Sequence, residues 1–371
     1  MVRVTAALIA LDEEAHIRAC LESLGPVADE IIVVDTGSTD RTPQIAAALG
    51  ARVLSVPWRD DFAYARNVGL AQASGEWVLY VDADERVEVT GDLDDILADP
   101  KAIAARVQFR ASSRLTPYWE YRLFRNRPDI RFRGVIHETV MPDIRALIDR
   151  GDGKIVDAPL GFDHLGYEGD RTAKHRRNLP LLRRAVADDP GRVYLWHALG
   201  EAALGLNDLV GTEAAWRQGL AVLRQREPCP GDALIYADLL DLHLSETGVS
   251  LPDAADLVEE AGRRHPDDPL VLWWTARHLA SKGNFAEARA CLERILAYGP
   301  NGPTHGELGY DRQLFGAYAW GLLGVCWLQE GEPGRALDWL RRAEAADRSN
   351  PEIRAKRAFA EGVMRTRATP A

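Results

Sequence analysis

The stretch Glu76-Trp77-Val78-Leu79-Tyr80-Val81-Asp82-Ala83-Asp84-Glu85 reads as a buried strand that runs out into acids. The carboxyl ends of strands form the ligand crevice of an α/β sheet, so Asp82 and Asp84, one residue apart, stand where they can offer oxygen ligands to a divalent cation and its diphosphate. The same residues would also make a solvated acidic turn, because an isolated Asp-x-Asp is common by chance. The order of elements around the stretch decides between the two.

Upstream, apolar runs rich in Val, Ile and Leu predict strands over Arg3–Leu11, Glu30–Asp35, Ala51–Val56 and Trp77–Asp82. Helix-period segments lie between them, at Glu14–Leu24, Pro43–Leu49 and Asp61–Ala73, with Pro43 suited to a first helical turn and Gly50 to a stop. This βαβαβ order demands parallel strands and right-handed crossovers. The strand ends are acidic throughout: Asp12-Glu13-Glu14 after the first, Asp35 to Asp40 after the second, Asp82 to Glu85 after the fourth. Neither a Gly-x-Gly-x-x-Gly turn nor a Gly-Lys-Ser/Thr phosphate loop is present. An acidic crevice takes an anionic nucleotide only through a cation, with carboxylates also accepting hydrogen bonds from base or ribose.

Four motifs in order, Asp12-Glu13-Glu14, Val34 to Asp40, Phe62 to Asn67 and Asp82 to Glu85, resemble the donor half of a family 2 glycosyltransferase with the GT-A fold. The family pattern has Asn where this chain has Asp12. The resemblance implies that Asp35 accepts a hydrogen bond from the base, that Asp82 contacts ribose or metal and that Asp84 ligates the metal. Arg66 would meet the diphosphate, unless it is a surface arginine of an amphipathic helix. Glu13 would flank the base, or serve as a first-turn acid favoured by the helix dipole. Glu138, after Arg131-Phe132-Arg133-Gly134, resembles the acid that follows a glycine loop and would be the base of an inverting transfer; otherwise it pairs with a nearby arginine. Asp163 is the alternative base. His164 resembles the late histidine that completes the metal shell, and imidazole beside carboxylate suits Mn as well as Mg. His137 lacks the second histidine of a zinc-protease motif. The implied donor is a nucleotide sugar, UDP-linked for preference.

Near Gly166 to Arg171 the composition turns to Ala, Leu, Arg and Trp in helical periods, which sets an α/β GT-A domain with a mainly parallel sheet over 1–167 and an all-helical domain over 168–371. Gly283-Asn284-Phe285-Ala286-Glu287-Ala288 and Gly331-Glu332-Pro333-Gly334-Arg335-Ala336 resemble tetratricopeptide repeats, with an insertion around 299–311 and an earlier copy over Pro190–Leu223. Seven of ten tryptophans lie in this half and are expected in its core. A concave repeat surface suits an extended peptide, so the expected acceptor is a peptide or protein side chain, with a saccharide or small molecule as the alternative.

A net charge of −11 argues against nucleic acid, and leaves Lys174-His175-Arg176-Arg177 with Arg183 and Arg184 as a polar helix face or a patch for an acidic partner. No apolar run reaches the length of a membrane span. Cys20, Cys229, Cys291 and Cys326 show no pairing or metal spacing, which suits a reducing cytoplasm. A nucleotidyltransferase would need a glycine-rich stretch after the first strand, and Leu8 to Glu13 has none. The rival of another class is a repeat scaffold carrying a silent transferase fold.

Overall fold

The computed structural model describes residues 3–165, 172–244 and 249–368. Two compact units emerge, Met1–Ser113 with Pro117–Gly191, and Arg114–Thr116 with Arg192–Ala371. The boundary expected within 166–171 lies outside the described residues.

The first unit is organised by one eight-stranded sheet. In chain order its elements are β1 (Val4–Ala10), α1 (Ile17–Leu24), β2 (Glu30–Asp35), α2 (Thr42–Ala48), β3 (Arg52–Ser55), α3 (Phe62–Leu70), β4 (Trp77–Asp82), β5 (Glu85–Val89), α4 (Asp94–Ala98), β6 (Ala102–Arg110), β7 (Tyr118–Arg125), α5 (Met141–Asp149), β8 (Lys154–His164) and α6 (Thr172–Asp188). Strand order is β3-β2-β1-β4-β7-β6-β8-β5. Pairings β1–β2, β1–β4, β2–β3 and β6–β8 are parallel, while β4–β7, β6–β7 and β5–β8 are antiparallel. The mainly parallel α/β architecture is therefore as expected.

The apolar runs of β1, β2 and β4 are buried on both faces, with Ile32, Val33, Val34, Val78, Leu79 and Val81 almost sealed from solvent. Such double burial is what helices on both sides of a parallel sheet produce. Helices α1 and α3 are shorter than the periodicity predicts. Asp61 is the N-cap of α3, accepting from Tyr64 N at 2.9 Å, so the helix starts at Phe62. Strand β5 was not anticipated because Glu85-Arg86-Val87-Glu88-Val89 alternates charge with valine and so lacks the continuous apolar run that marks the other strands.

In the second unit helices pair as α7 (Val193–Leu204) with α8 (Leu209–Leu223), α9 (Ala233–Leu244) with α10 (Ala254–Arg264), α11 (Pro269–Ser281) with α12 (Phe285–Ala297) and α13 (Ala317–Gln329) with α14 (Pro333–Ala346), followed by α15 (Pro351–Ala368). Three pairs share one register. The eighth residue of the first helix is small, Gly200, Ala276 or Gly324, and a bulky residue sixteen positions on, Trp216, Leu292 or Leu340, is buried in the second helix. A Cβ on Gly200 would meet Trp216 Nε1 at 2.0 Å, and one on Gly324 would meet Leu340 Cγ at 2.6 Å. Each first helix ends in a left-handed residue seven positions after the small one: Asn207 (φ 61°), Gly283 (φ 83°) and Gly331 (φ 82°). Trp216 and Trp274 are buried in one core cluster, and the connection before α13 supplies Tyr310, Leu314 and Phe315 to a second, with Leu292 and Leu323.

Candidate active site

The site lies at the carboxyl ends of β1, β2 and β4. Asp12 has a left-handed backbone (φ 55°), a conformation that Asp and Asn tolerate better than most residues. Its Oδ1 accepts from Thr39 N at 2.7 Å and from Asp40 N at 3.3 Å, and its own N–H donates to Ser38 Oγ, which ties the β1 loop to the β2 loop. One carboxylate oxygen does this, and an amide oxygen would do the same, so the Asp at this position preserves the loop that the family's Asn would make. Asp35 is buried and folds onto its own loop, accepting from Ser38 N at 3.1 Å and Gly37 N at 3.3 Å. Gly37 permits that turn with φ 115°.

The register of β5 against β8 sets Glu85 opposite His164. Asp84, one residue before, receives the Leu165 N–H on its carbonyl at 3.0 Å and places Oδ2 3.2 Å from His164 Nε2. Burial holds the His164 imidazole below its usual range against the opposing pull of Asp84 and Asp82, which favours the neutral ring that ligates metals. Glu13 is pushed up to about 7, by burial first and then by the charges of Asp84 and Asp82. Three acids thus crowd one point, with Asp82 partly neutralised by Arg66, and oxygen plus imidazole donors fit a Mg or Mn ion. No group of three or more ligating side chains assembles among the described residues, so a cation held here would take its other ligands from the nucleotide and water.

The segment Phe62-Ala63-Tyr64-Ala65-Arg66-Asn67 grips the loop that carries Glu138. Phe62 N donates to Val135 O at 2.9 Å; Asn67 Nδ2 donates to Phe132 O at 2.9 Å, and Asn67 Oδ1 accepts from Phe132 N at 3.0 Å. Arg133 and Thr139 close the loop with two backbone bonds of 2.9 and 3.0 Å, and Gly134 (φ 97°) and His137 (φ 51°) make its turns. Arg66 does not project from the helix surface. It is buried, donating from Nε to Glu138 Oε1 and from Nη2 to Asp82 Oδ1, each at 2.5 Å. Glu138 therefore pairs with an arginine 72 positions away in sequence and not with the neighbouring Arg131 or Arg133. Asp82 is pulled down to about 2: burial would raise it, but Arg66 and then Arg122 outweigh that. Asp163, the alternative base, is held bidentately by Arg110 at 2.6 and 3.0 Å.

Arg122 escaped the sequence reading, and Glu85, quoted as the end of the Asp82 to Glu85 motif, was given no role of its own there. Arg122 is buried, donates to Glu85 at 2.9 Å and to Glu120 at 2.7 Å, and stacks over Tyr80 at 4.7 Å. Glu85 in turn accepts the Asp82 N–H at 2.8 Å and so fixes the turn that presents Asp84. Burial drives Glu85 up to about 8 while Arg122 pulls the other way. An arginine between Tyr121 and Leu123, inside the apolar and aromatic run of β7, was the available signal.

The model of glycosyl transferase family 2 matches residues 5–144, and tetratricopeptide-repeat models match 250–306 and 309–351. A TPR repeat-containing protein of Synechococcus elongatus is 35% identical over 316 residues, covering 81% of this chain and 76% of its own. The glycosyltransferase SunS of Bacillus subtilis is 30% identical over 206 residues, 50% of this chain and 46% of its own. Among solved structures, glucosyl-3-phosphoglycerate synthase from Mycobacterium tuberculosis aligns at 25% identity and TM-score 0.36, covering 50% of this chain and 80% of its own. With the family match lying over the acidic strand ends and the loop of Glu138, the chain belongs to the family 2 glycosyltransferases, enzymes that transfer a sugar from a nucleotide-sugar donor, and joins a GT-A domain to tetratricopeptide repeats.

Proposed function

We propose that this enzyme is an inverting, metal-dependent transferase that takes a UDP-linked sugar and delivers it to a peptide or protein side chain. The observation that carries the reading is Asp84 Oδ2 set 3.2 Å from His164 Nε2, with Asp82 and the crowded Glu13 beside them. A bound Mg or Mn ion would neutralise the leaving diphosphate there. Asp35 and Glu13 face the nucleoside, and Asp82 the ribose. Arg66, enclosed between carboxylates, acts as a positioning residue for Asp82 and Glu138 in place of touching the diphosphate. Glu138 accepts the proton of the acceptor nucleophile on the face opposite the leaving group.

The repeat unit supports a peptide acceptor with a cavity of about 670 Å³ lined by Trp273, Trp274, Arg277 and Tyr318. A second reading, a saccharide acceptor, draws on similarity to the lipopolysaccharide core biosynthesis glycosyltransferase LpsC of Rhizobium meliloti, 39% identical over 90 residues. Among the described residues no helix is long and apolar enough to cross a membrane, and the free cysteines suit a reducing cytoplasm.

The test is calorimetric titration of UDP, GDP and TDP with and without Mn²⁺. One nucleotide should bind in a metal-dependent way, and D84N should lose that binding. E138Q should keep UDP binding and lose transfer. A chain that binds none of the nucleotides is a repeat scaffold with a silent transferase fold.

A further inference from the structure

Helix α6 carries Lys174-His175-Arg176-Arg177 and Arg183-Arg184, which the catalytic reading leaves unused. Arg176 and Arg183 stand seven residues apart, as do Arg177 and Arg184, so the four form a stripe along one side with the pairs about 10 Å apart. The other side of the helix buries Leu181, Leu182, Ala185 and Val186. All four arginines are exposed, and among the described residues none has a carboxylate partner: Arg177 Nε donates to Asn178 Oδ1, and Arg184 Nη2 to the Asp60 carbonyl. Arginines elsewhere are commonly neutralised, as Arg110 is by Asp163, Arg217 by Asp253 and Arg224 by Glu260.

An unneutralised stripe runs against the chain's net charge of −11. It also runs against helix stability, because like charges one or two turns apart repel and cations are disfavoured near a helix N-terminus, where α6 has no acid in its first turn. The stripe borders the active site. Arg177 lies over the Phe62 ring at 5.8 Å, and Phe62 opens α3 one turn before Arg66. Arg184 reaches the Asp60 carbonyl at 2.7 Å, in the loop leading to the same helix. Lys174, at the start of α6, is near enough to His164 for its charge to oppose protonation of that ring.

We propose that the α6 arginine stripe is an acceptor subsite that binds an acidic peptide segment beside the donor site. The proposal rests on reading the chain as a transferase acting on a peptide, and it names the acceptor's chemistry. An extended peptide rises about 3.3 Å per residue, so carboxylates three residues apart match the spacing of the arginine pairs. A membrane surface is the poorer fit, because no large apolar side chain is exposed along α6 to enter the lipid. A single-stranded nucleic acid would want aromatic rings interleaved with the cations, and the stripe itself has none.

The experiment uses the full chain and fluorescein-labelled Glu-Ser-Gly repeat peptides, with Gln-Ser-Gly and Lys-Ser-Gly controls, phosphatidylserine vesicles and a single-stranded oligodeoxynucleotide. The Glu peptide should bind in preference to both controls, and R176Q/R183Q, which removes side chains with no carboxylate partner among the described residues, should weaken it about tenfold. Unfolding temperature and Mn²⁺-dependent UDP binding should be the same in variant and parent. Equal binding of Glu and Gln peptides, equal binding by variant and parent, or stripe-dependent capture of vesicles or oligonucleotide in place of the peptide would each overturn the proposal. Failure of the parent to bind UDP would overturn the transferase reading on which it rests, and is read separately in the same titration series.

Discussion

The side-chain amide of Asn67 pairs with both backbone groups of Phe132, donating to the carbonyl at 2.9 Å and accepting from the N–H at 3.0 Å. Asn67 thus treats the start of the loop that carries Glu138 as a sheet treats a neighbouring strand. N67A leaves both backbone groups half-buried and unpaired. We expect a loss of about 1–3 kcal/mol in urea unfolding and a fall in turnover with UDP binding retained. An N67A enzyme with parental stability and turnover would show that the loop is held by Phe62 and Arg66 alone.

Arg66 is the shared counter-charge of Asp82 and Glu138. Removing it in R66M leaves two carboxylates short of a counter-charge, the largely buried Glu138 and the partly exposed Asp82, which keeps Arg122 at 3.9 Å, for an expected cost of about 3–5 kcal/mol. The double variant R66M/E138Q should recover part of that stability, because one of the stranded charges is gone. Additive losses in the chemical-denaturation cycle would argue that the two residues are independent.

The close approach of paired helices is testable at Gly200, where a Cβ would meet Trp216 Nε1 at 2.0 Å. G200A should destabilise by about 1–3 kcal/mol, and W216L should relieve the clash in the double variant. Gly334, also helical but with nothing within 4 Å of its added Cβ, is the contrasting site. There G334A should stabilise by roughly 0.5–1 kcal/mol through helix propensity. Similar unfolding midpoints for the two alanine variants would contradict this assignment of the helix contacts.

A pH dependence should come from His197, whose Nδ1 lies 2.5 Å from Asp238 Oδ2. Burial pulls the imidazole down, but Asp238 more than compensates and raises it to about 9 from an ordinary 6.5. A base whose pKa is raised by folding contributes stability that is complete below about 6.5 and is lost as pH climbs through about 9. The unfolding temperature should therefore decline between pH 7 and 10, and H197Q should flatten the decline. A slope that persists unchanged in H197Q would move the cause to another group.

The donor half of the fold was legible because its signals are local. Continuous apolar runs such as Ile31 to Val34 and Val78 to Val81 mark buried parallel strands, and the acids that follow them fall at one edge of the sheet. The pairing of Asp84 with His164 was anticipated only as a resemblance, since it depends on β5, whose alternating charges hide it, and on a register that no local pattern encodes. Arg66 was readable as part of a motif but not as a buried bridge. Its amphipathic surroundings suggested a surface residue, and its two partners lie 16 and 72 positions away. The four-arginine stripe was visible as composition, while its lack of carboxylate partners among the described residues emerged only with the folded neighbours in place.

Strand β8 joins the sheet last in chain order yet supplies His164, while Asp84 arrives with the first half of the domain. During vectorial synthesis the early strands can pair and bury their apolar faces before the ribosome has delivered this histidine. The Asp84–His164 contact is therefore a completion signal for the domain: a chain arrested or clipped before β8 would keep much of its parallel core while lacking one side of the candidate metal site. The candidate site would then be completed only once β8 is in place.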